Sequence, residues 1–147
     1  MIKNIRHAAL VVSDLQRSRN FYEIFLGFTL LKEDVEEGPF IENIVGLPNV
    51  RLHWVKLKAS NGILIELLKY ISPESPGLTL ERKNQPSNQL GHSHLAFTVE
   101  SMAIFISEFK KINGSIVNEP ALNPEKTAIV CYIHDPEGNI LEIVEEV

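Results

Sequence analysis

The apolar and polar positions along the chain alternate between two rhythms, and the order in which these appear is repeated. Ala8-Ala9-Leu10-Val11-Val12 ends a stretch over residues 2–12 that reads as a buried strand, with His7 near its start. Ser13 or Asp14 then caps a helix whose apolar positions include Leu15, Phe21 and Phe25, and Gly27 stops it. Phe28 to Val35 is a second strand, and Glu36 to Asn49 is a loop with one helical turn, punctuated by Gly and Pro. Val50 to Lys58 and Ile63 to Tyr70 form a hairpin across Ala59-Ser60-Asn61-Gly62. After a polar, proline-containing stretch the pattern restarts. Ser93 to Val99 is a strand, Ser101 caps a helix carrying Met102, Phe105, Ile106, Phe109 and Ile112, and Gly114 ends it. Ser115 to Val117, Ala128 to Ile133 and Ile140 to Val147 complete the second set of strands.

The two halves superpose residue by residue. A shift of 87 places His7 on His94, Ala9 on Ala96, Val12 on Val99 and Gly27 on Gly114. A shift of 76 places Gly62 on Gly138, Ile65 on Leu141, Glu66 on Glu142 and Leu67 on Ile143. The difference of 11 between the shifts corresponds to the 36–49 insertion in the first half. The pattern predicts an α+β fold made of two βαβββ modules in a single domain: module 1 at about 2–71, a linker at 72–91 and module 2 at about 92–147.

The repeat also carries the candidate chemistry. In Asp135-Pro136-Glu137-Gly138-Asn139 a tight turn leads into a strand on which Glu142 shares a face with Ile140 and Val144. A carboxylate among apolar neighbours is costly unless paired or bound to a metal. Its repeat mate is Glu66. His94, rather than its neighbour His92, is matched by His7, and small residues flank both: Ala9 beside His7, Ala96 beside His94. Two histidines and two glutamates suit a first-row divalent ion, with Ni, Zn, Mn, Co and Fe all admissible. Such an ion polarises a carbonyl while a carboxylate moves a proton, which names Glu142 and Glu66 as catalytic candidates. Arg51 and His53 alternate onto one face that hairpin pairing is expected to align with Glu66, as candidate substrate contacts. Cys131 is read as a buried thiol, with an alternative position opposite Glu142.

Composition narrows the partners. The 147 residues carry 14 basic and 19 acidic side chains, a net charge of −5, so no basic surface for nucleic acid or anionic membrane is expected and a small molecule is the expected ligand. The single cysteine excludes an internal disulfide, and no long apolar run marks a membrane span or signal peptide, so a cytoplasmic location is expected.

The run Val12-Ser13-Asp14-Leu15-Gln16-Arg17-Ser18-Arg19-Asn20-Phe21-Tyr22, the later His94-Leu95-Ala96-Phe97 and the turn before Glu142 resemble the vicinal oxygen chelate superfamily, which includes glyoxalase I, epimerases, extradiol dioxygenases and fosfomycin and bleomycin resistance proteins. The resemblance implies curved mixed sheets forming a U-shaped cleft, commonly in a homodimer, and carries the metal ligands onto His7, Glu66, His94 and Glu142. A glutamate at both module ends is nearest to glyoxalase I, and implies proton transfer as a lyase, isomerase or epimerase. The pattern departs from glyoxalase I where Val11 replaces an arginine and Tyr70 an asparagine that hold glutathione. Two other activities belong to the same superfamily: sequestration of a small molecule, and Fe(II)-dependent ring cleavage.

Overall fold

The computed structural model describes residues 1–76, 87–88 and 90–147. Most of the expected linker, 77–86 and 89, lies outside the described residues. The chain divides into two compact units, residues 1–77 and 78–147.

In the first unit the elements run β1 (Ala8–Val11), α1 (Leu15–Arg19), β2 (Thr29–Glu37), α2 (Pro39–Val45), β3 (Arg51–Lys58) and β4 (Leu64–Ser72). The sheet order is β1-β4-β3-β2, with β1 parallel to β4 and the other pairs antiparallel. The second unit contains β5 (His94–Thr98), α3 (Met102–Lys111), β6 (Ser115–Ile116), β7 (Ala121–Leu122), β8 (Ala128–His134) and β9 (Ile140–Glu146). Its order is β5-β9-β8-β6, with β5 parallel to β9, and β7 pairs with β8 beside this path. The repeat read from the sequence is therefore a repeat of topology. Both units are mixed sheets in which the first strand lies beside the last.

Three local differences from the sequence reading have physical causes. The first strand is confined to Ala8–Val11, because residues 2–6 are exposed and have no ladder partner in the β1–β4 register. The first helix, capped by the Asp14 side chain on the Arg17 N–H at 3.0 Å, widens after Arg19 into a π-helical segment, Asn20–Phe25. Its closing bond runs from the Leu26 N–H to the Phe21 carbonyl. The 36–49 insertion holds a full helix, α2, rather than one turn. Pro39 starts it after Gly38, Gly46 closes it in the left-handed conformation at φ 72°, and Ile41 inserts among Val50, Leu52 and Trp54.

Each sheet presents two unlike faces. In the first unit Val55, Leu57, Ile65 and Leu67 are buried on one face, each supplying roughly 1.5–3 kcal/mol of transfer free energy. The other face carries Leu52 and Trp54 under α2 at one end and Lys56 with Glu66 at the other. In the second unit Cys131, Ile133, Leu141 and Ile143 are buried, and α3 contributes Met102, Ile106 and Phe109. The start of α3 is held by Ser101 Oγ, which accepts from the Ile104 N–H, and by Glu145 of β9, which accepts from the Met102 N–H at 2.5 Å. Glu145 of the last strand thus supplies a carboxylate to a helix N-terminus, where it is favoured by the helix dipole.

The two hairpins share their backbone bonding. Ala59 N–H donates to Ile63 and Gly62 N–H to Ala59; Asp135 N–H donates to Asn139 and Gly138 N–H to Asp135. Both glycines are left-handed, at φ 89° and 88°. The second turn adds the buried Asp135 side chain, whose Oδ1 accepts from the Glu137 and Asn139 N–H groups at 2.9 and 2.8 Å.

Gly114 follows α3 at a point where a Cβ would stand 2.4 Å from the ring of Phe109, which is buried. Gly114→Ala is expected to destabilise the protein by about 1–3 kcal/mol through overpacking. A lowered urea midpoint with an unchanged slope checks it.

Candidate metal centre

The strand registers deliver a histidine and a glutamate to the same place in each unit. In the first, Ala9 of β1 stands opposite Glu66 of β4, and Glu66 stands opposite Lys56 of β3. In the second, Ala96 of β5 stands opposite Glu142 of β9, and Glu142 stands opposite Tyr132 of β8. The small alanine leaves the glutamate uncovered on the side of the first strand, and the histidine two residues before that alanine fills the space. His7 Nε2 lies 3.1 Å from Glu66 Oε2, and His94 Nε2 lies 3.3 Å from Glu142 Oε2.

Within each unit the separation is one that an imidazole and a carboxylate binding the same ion would have. Two donors each about 2.1 Å from a metal are about 3.0 Å apart at a right angle and about 3.4 Å apart at the tetrahedral angle. Both pairs fall within that interval, and both consist of an imidazole and a carboxylate, the ligand types that borderline divalent ions accept. His94 is also oriented from behind: its Nδ1 lies 3.0 Å from Ser93 Oγ, which leaves Nε2 for the glutamate side. His7 Nδ1 is buried and has no hydrogen-bond partner among the described residues. Among the described residues no group of three or more His, Cys, Asp or Glu side chains gathers where it could hold a metal ion, and each His–Glu pair is a feature of its own unit.

The surroundings of the two pairs differ. Lys56 Nζ lies 2.7 Å from Glu66 Oε1, the oxygen that does not face His7. Position 132 is the repeat mate of position 56, and there the Tyr132 ring packs against His94 with centroids 5.1 Å apart. Among the described residues the ion-pair partner of Glu142 is His94. Lys56 and Tyr132 were not singled out from the sequence, although the shift of 76 that matches the glutamates also matches these two positions. Neither residue type ligates metals commonly, so a search for ligands passes over both.

The register corrects the expected position of Arg51 and His53. His53 stands opposite Lys69, not Glu66, and three residues along the strand from Lys56 its side chain falls on the other face. There its Nε2 meets Glu33 Oε1 at 2.7 Å, while Arg19 bridges Glu23 and Glu33 at 2.6 and 2.8 Å. The neighbouring carboxylates, first among them Glu23 through its hydrogen bond, raise the pKa of the Arg19 guanidinium above its ordinary value. Arg51 is more than half exposed and pairs with Glu37 at 3.4 Å. Neither residue belongs with Glu66. Tyr70, where glyoxalase I carries an asparagine, packs against the cluster of Ile41, Val50, Leu52 and Trp54. Cys131 stands opposite Ile143 rather than Glu142, buried, with its Sγ 3.3 Å from the Asn118 carbonyl.

The pattern of the glyoxalase/bleomycin resistance protein/dioxygenase superfamily matches residues 4–143. The chain belongs to this superfamily. Among its relatives, a probable lactoylglutathione lyase of Synechocystis sp. is 27% identical over 140 residues, covering 95% of this chain and 92% of the relative. A lactoylglutathione lyase of Neisseria meningitidis is 25% identical over 141 residues, covering 95% and 88%. The fold is that of a glyoxalase family protein from Bacillus cereus, with a TM-score of 0.89, 25% identity, and coverage of 100% of this chain and 96% of that one. No helix among the described residues is long and apolar enough to cross a membrane.

Burial, followed by the charge of Glu119, raises the Cys131 pKa above the ordinary thiol value, so the thiolate is scarce at neutral pH. Native protein at pH 7.5 is expected to resist iodoacetamide and to become fully alkylated in urea, as intact mass will report. The same shift implies a stability contribution that is present below the unfolded thiol pKa and is lost as pH rises through it towards the folded value.

Proposed function

We propose that this protein is a divalent-metal-dependent enzyme that moves a proton on a small substrate bearing two neighbouring oxygens, as a lyase, isomerase or epimerase. The observation that carries this reading is the matched His–Glu pair in both units, at 3.1 and 3.3 Å, on equivalent strands. His7, Glu66, His94 and Glu142 are the residues that would ligate metal. When bound, the ion supplies Lewis-acid charge to the substrate's oxygens and acidifies the adjacent C–H.

The protein's own part is to place carboxylates beside that carbon. Glu142, which among the described residues has no ammonium partner, accepts the proton at a carboxylate oxygen, and Glu66 returns one. The Ser93 hydroxyl steadies His94 through Nδ1. The fold limits what else the substrate can be. Val11 and the core-packed Tyr70 stand where glyoxalase I holds glutathione, so the substrate is recognised by its vicinal oxygens rather than by a glutathione arm. The relative in Neisseria meningitidis is a lactoylglutathione lyase and that in Synechocystis sp. a probable one, and that activity is chemistry of this kind.

Chelator-stripped protein is expected to take up one equivalent of Zn²⁺ or Ni²⁺, read by elemental analysis, and His94→Ala to weaken that uptake at least about tenfold. In D₂O the metal-loaded protein is expected to exchange the C–H next to the carbonyl in small α-hydroxycarbonyl compounds, followed by proton NMR. Glu142→Gln should lower that rate by about 10²-fold or more, while Arg51→Ala, on another part of the sheet, leaves it within about twofold. Equal exchange in wild type and Glu142→Gln sinks the mechanism. A protein that takes up no metal is instead the sequestering type.

A further inference from the structure

We propose that residues 1–6 form an arm that docks on the exposed face of α2 in a second copy of this chain, so that two copies exchange arms reciprocally. Arm and helix both belong to the first unit, and the inference is independent of any metal.

The helix is apolar on two sides. Ile41 and Val45 turn inward onto Val50, Leu52 and Trp54. Phe40 and Ile44, one turn apart on another face, are 72% and 63% exposed, and Leu47 just beyond the helix is exposed as well. A helix that is apolar all round is normally covered on its outer face too, and a contiguous apolar patch marks an interaction surface. The chain around this patch is acidic. Between positions 32 and 47 stand Glu33, Asp34, Glu36, Glu37 and Glu42 against one base, Lys32, a net charge of −4. The arm is its complement in both respects. In Ile2-Lys3-Asn4-Ile5-Arg6 the two isoleucines are 92% and 91% exposed, and residues 1–6 carry two bases and no acid, a net charge of +2. Among the described residues neither Lys3 nor Arg6 has an ion-pair partner, and no residue before Ala8 has a partner in the β1–β4 register.

Strand register decides which copy's helix the arm meets. β1 runs parallel to β4 and begins with Ala8 opposite Ile65, near the 59–62 turn, whereas α2 packs on Leu52 and Tyr70 at the other end of β3 and β4. To reach its own α2 the arm must double back along about 17 Å of strand, nearly its full extended length of about 20 Å, which leaves nothing to lie on the helix. A neighbour's α2 has no such restriction. Charge also decides against the simpler contact of α2 with α2, which brings two acidic stretches together, whereas arm on α2 brings opposite charges together. Reciprocal exchange uses each surface twice and closes a two-fold dimer.

Analytical ultracentrifugation of the full-length protein tests this. Wild type is expected to sediment at twice the chain mass, with a dissociation constant that rises at least about threefold from low to high sodium chloride. Ile5→Glu and Ile44→Lys should each weaken self-association at least about tenfold. Ile104→Glu, at a comparably exposed position on α3, should leave it within about twofold. The decisive sample is the mixture of Ile5→Glu with Ile44→Lys, which should recover dimers that neither forms alone. In the mixed dimer one arm and one helix are both unaltered, and the other contact joins the two introduced opposite charges. Variants that are merely misfolded cannot restore each other. A monomeric wild type, a dimer that survives both single substitutions or ignores salt, dissociation by Ile104→Glu, or variants that stay monomeric when mixed overturns the proposal.

Discussion

A glutamate in the middle of a sheet strand has few ways to keep its charge, and the two units are arranged around that constraint. Glu66 and Glu142 each sit on the last strand of their sheet, one residue away from side chains that are wholly buried. Leaving such a carboxylate without a partner costs several kcal/mol, so something must stand against it. The parallel pairing of first and last strands supplies the answer in both units. It brings the start of the first strand beside the start of the last, where an alanine makes room and a histidine two residues earlier reaches the carboxylate. The topology, the alanine and the imidazole thus form one device, and the hairpin turn that precedes each glutamate sets its register.

The copies differ where chemistry asks them to. The turn before Glu142 is braced by the Asp135 carboxylate, whereas Ala59 occupies the matching position in the first turn, where Asn61 Oδ1 instead accepts from the Ile63 N–H at 3.1 Å. Conversely, Glu66 has a lysine opposite it and Glu142 a tyrosine. One carboxylate is therefore fixed by a cation on its far oxygen, and the other is fixed by its strand. In the proposed proton transfer, these unequal neighbours are what would divide accepting from returning the proton.

Much of this was legible in the sequence because a repeat constrains twice. Matching His7 with His94 and Glu66 with Glu142 required only counting, and the same counting assigned the strands to two equivalent sheets. What escaped was information carried by register. Arg51 and His53 are expected on the face of Glu66 from alternation and a hairpin turn over 59–62, but a shift of one residue in the turn exchanges the faces that meet. Lys58 meets Leu64 across the turn, which sets Lys56 opposite Glu66 and leaves His53 on the opposite face, where it meets Glu33. The helix within 36–49 was hidden for another reason. Its seven residues are too few for an apolar period to declare itself, and its stability comes from Ile41 packing on Trp54 rather than from propensity.

Trp54 links these missed elements. Its ring closes the core under α2 on one side, and the stem of Lys56 runs past it towards Glu66. A long, flexible lysine would lose much of its influence if it sampled solvent freely, because fixing such a side chain costs roughly 1.5–2 kcal/mol of rotamer entropy. Against an aromatic face that is itself packed, part of that cost is offset by burial of the methylene stem and by attraction between ammonium and ring. The insertion that distinguishes the first copy from the second therefore has a chemical consequence at the far end of the same sheet face. It supplies Ile41, which packs Trp54, beside which Lys56 is held on a carboxylate whose counterpart in the other unit has no such cation.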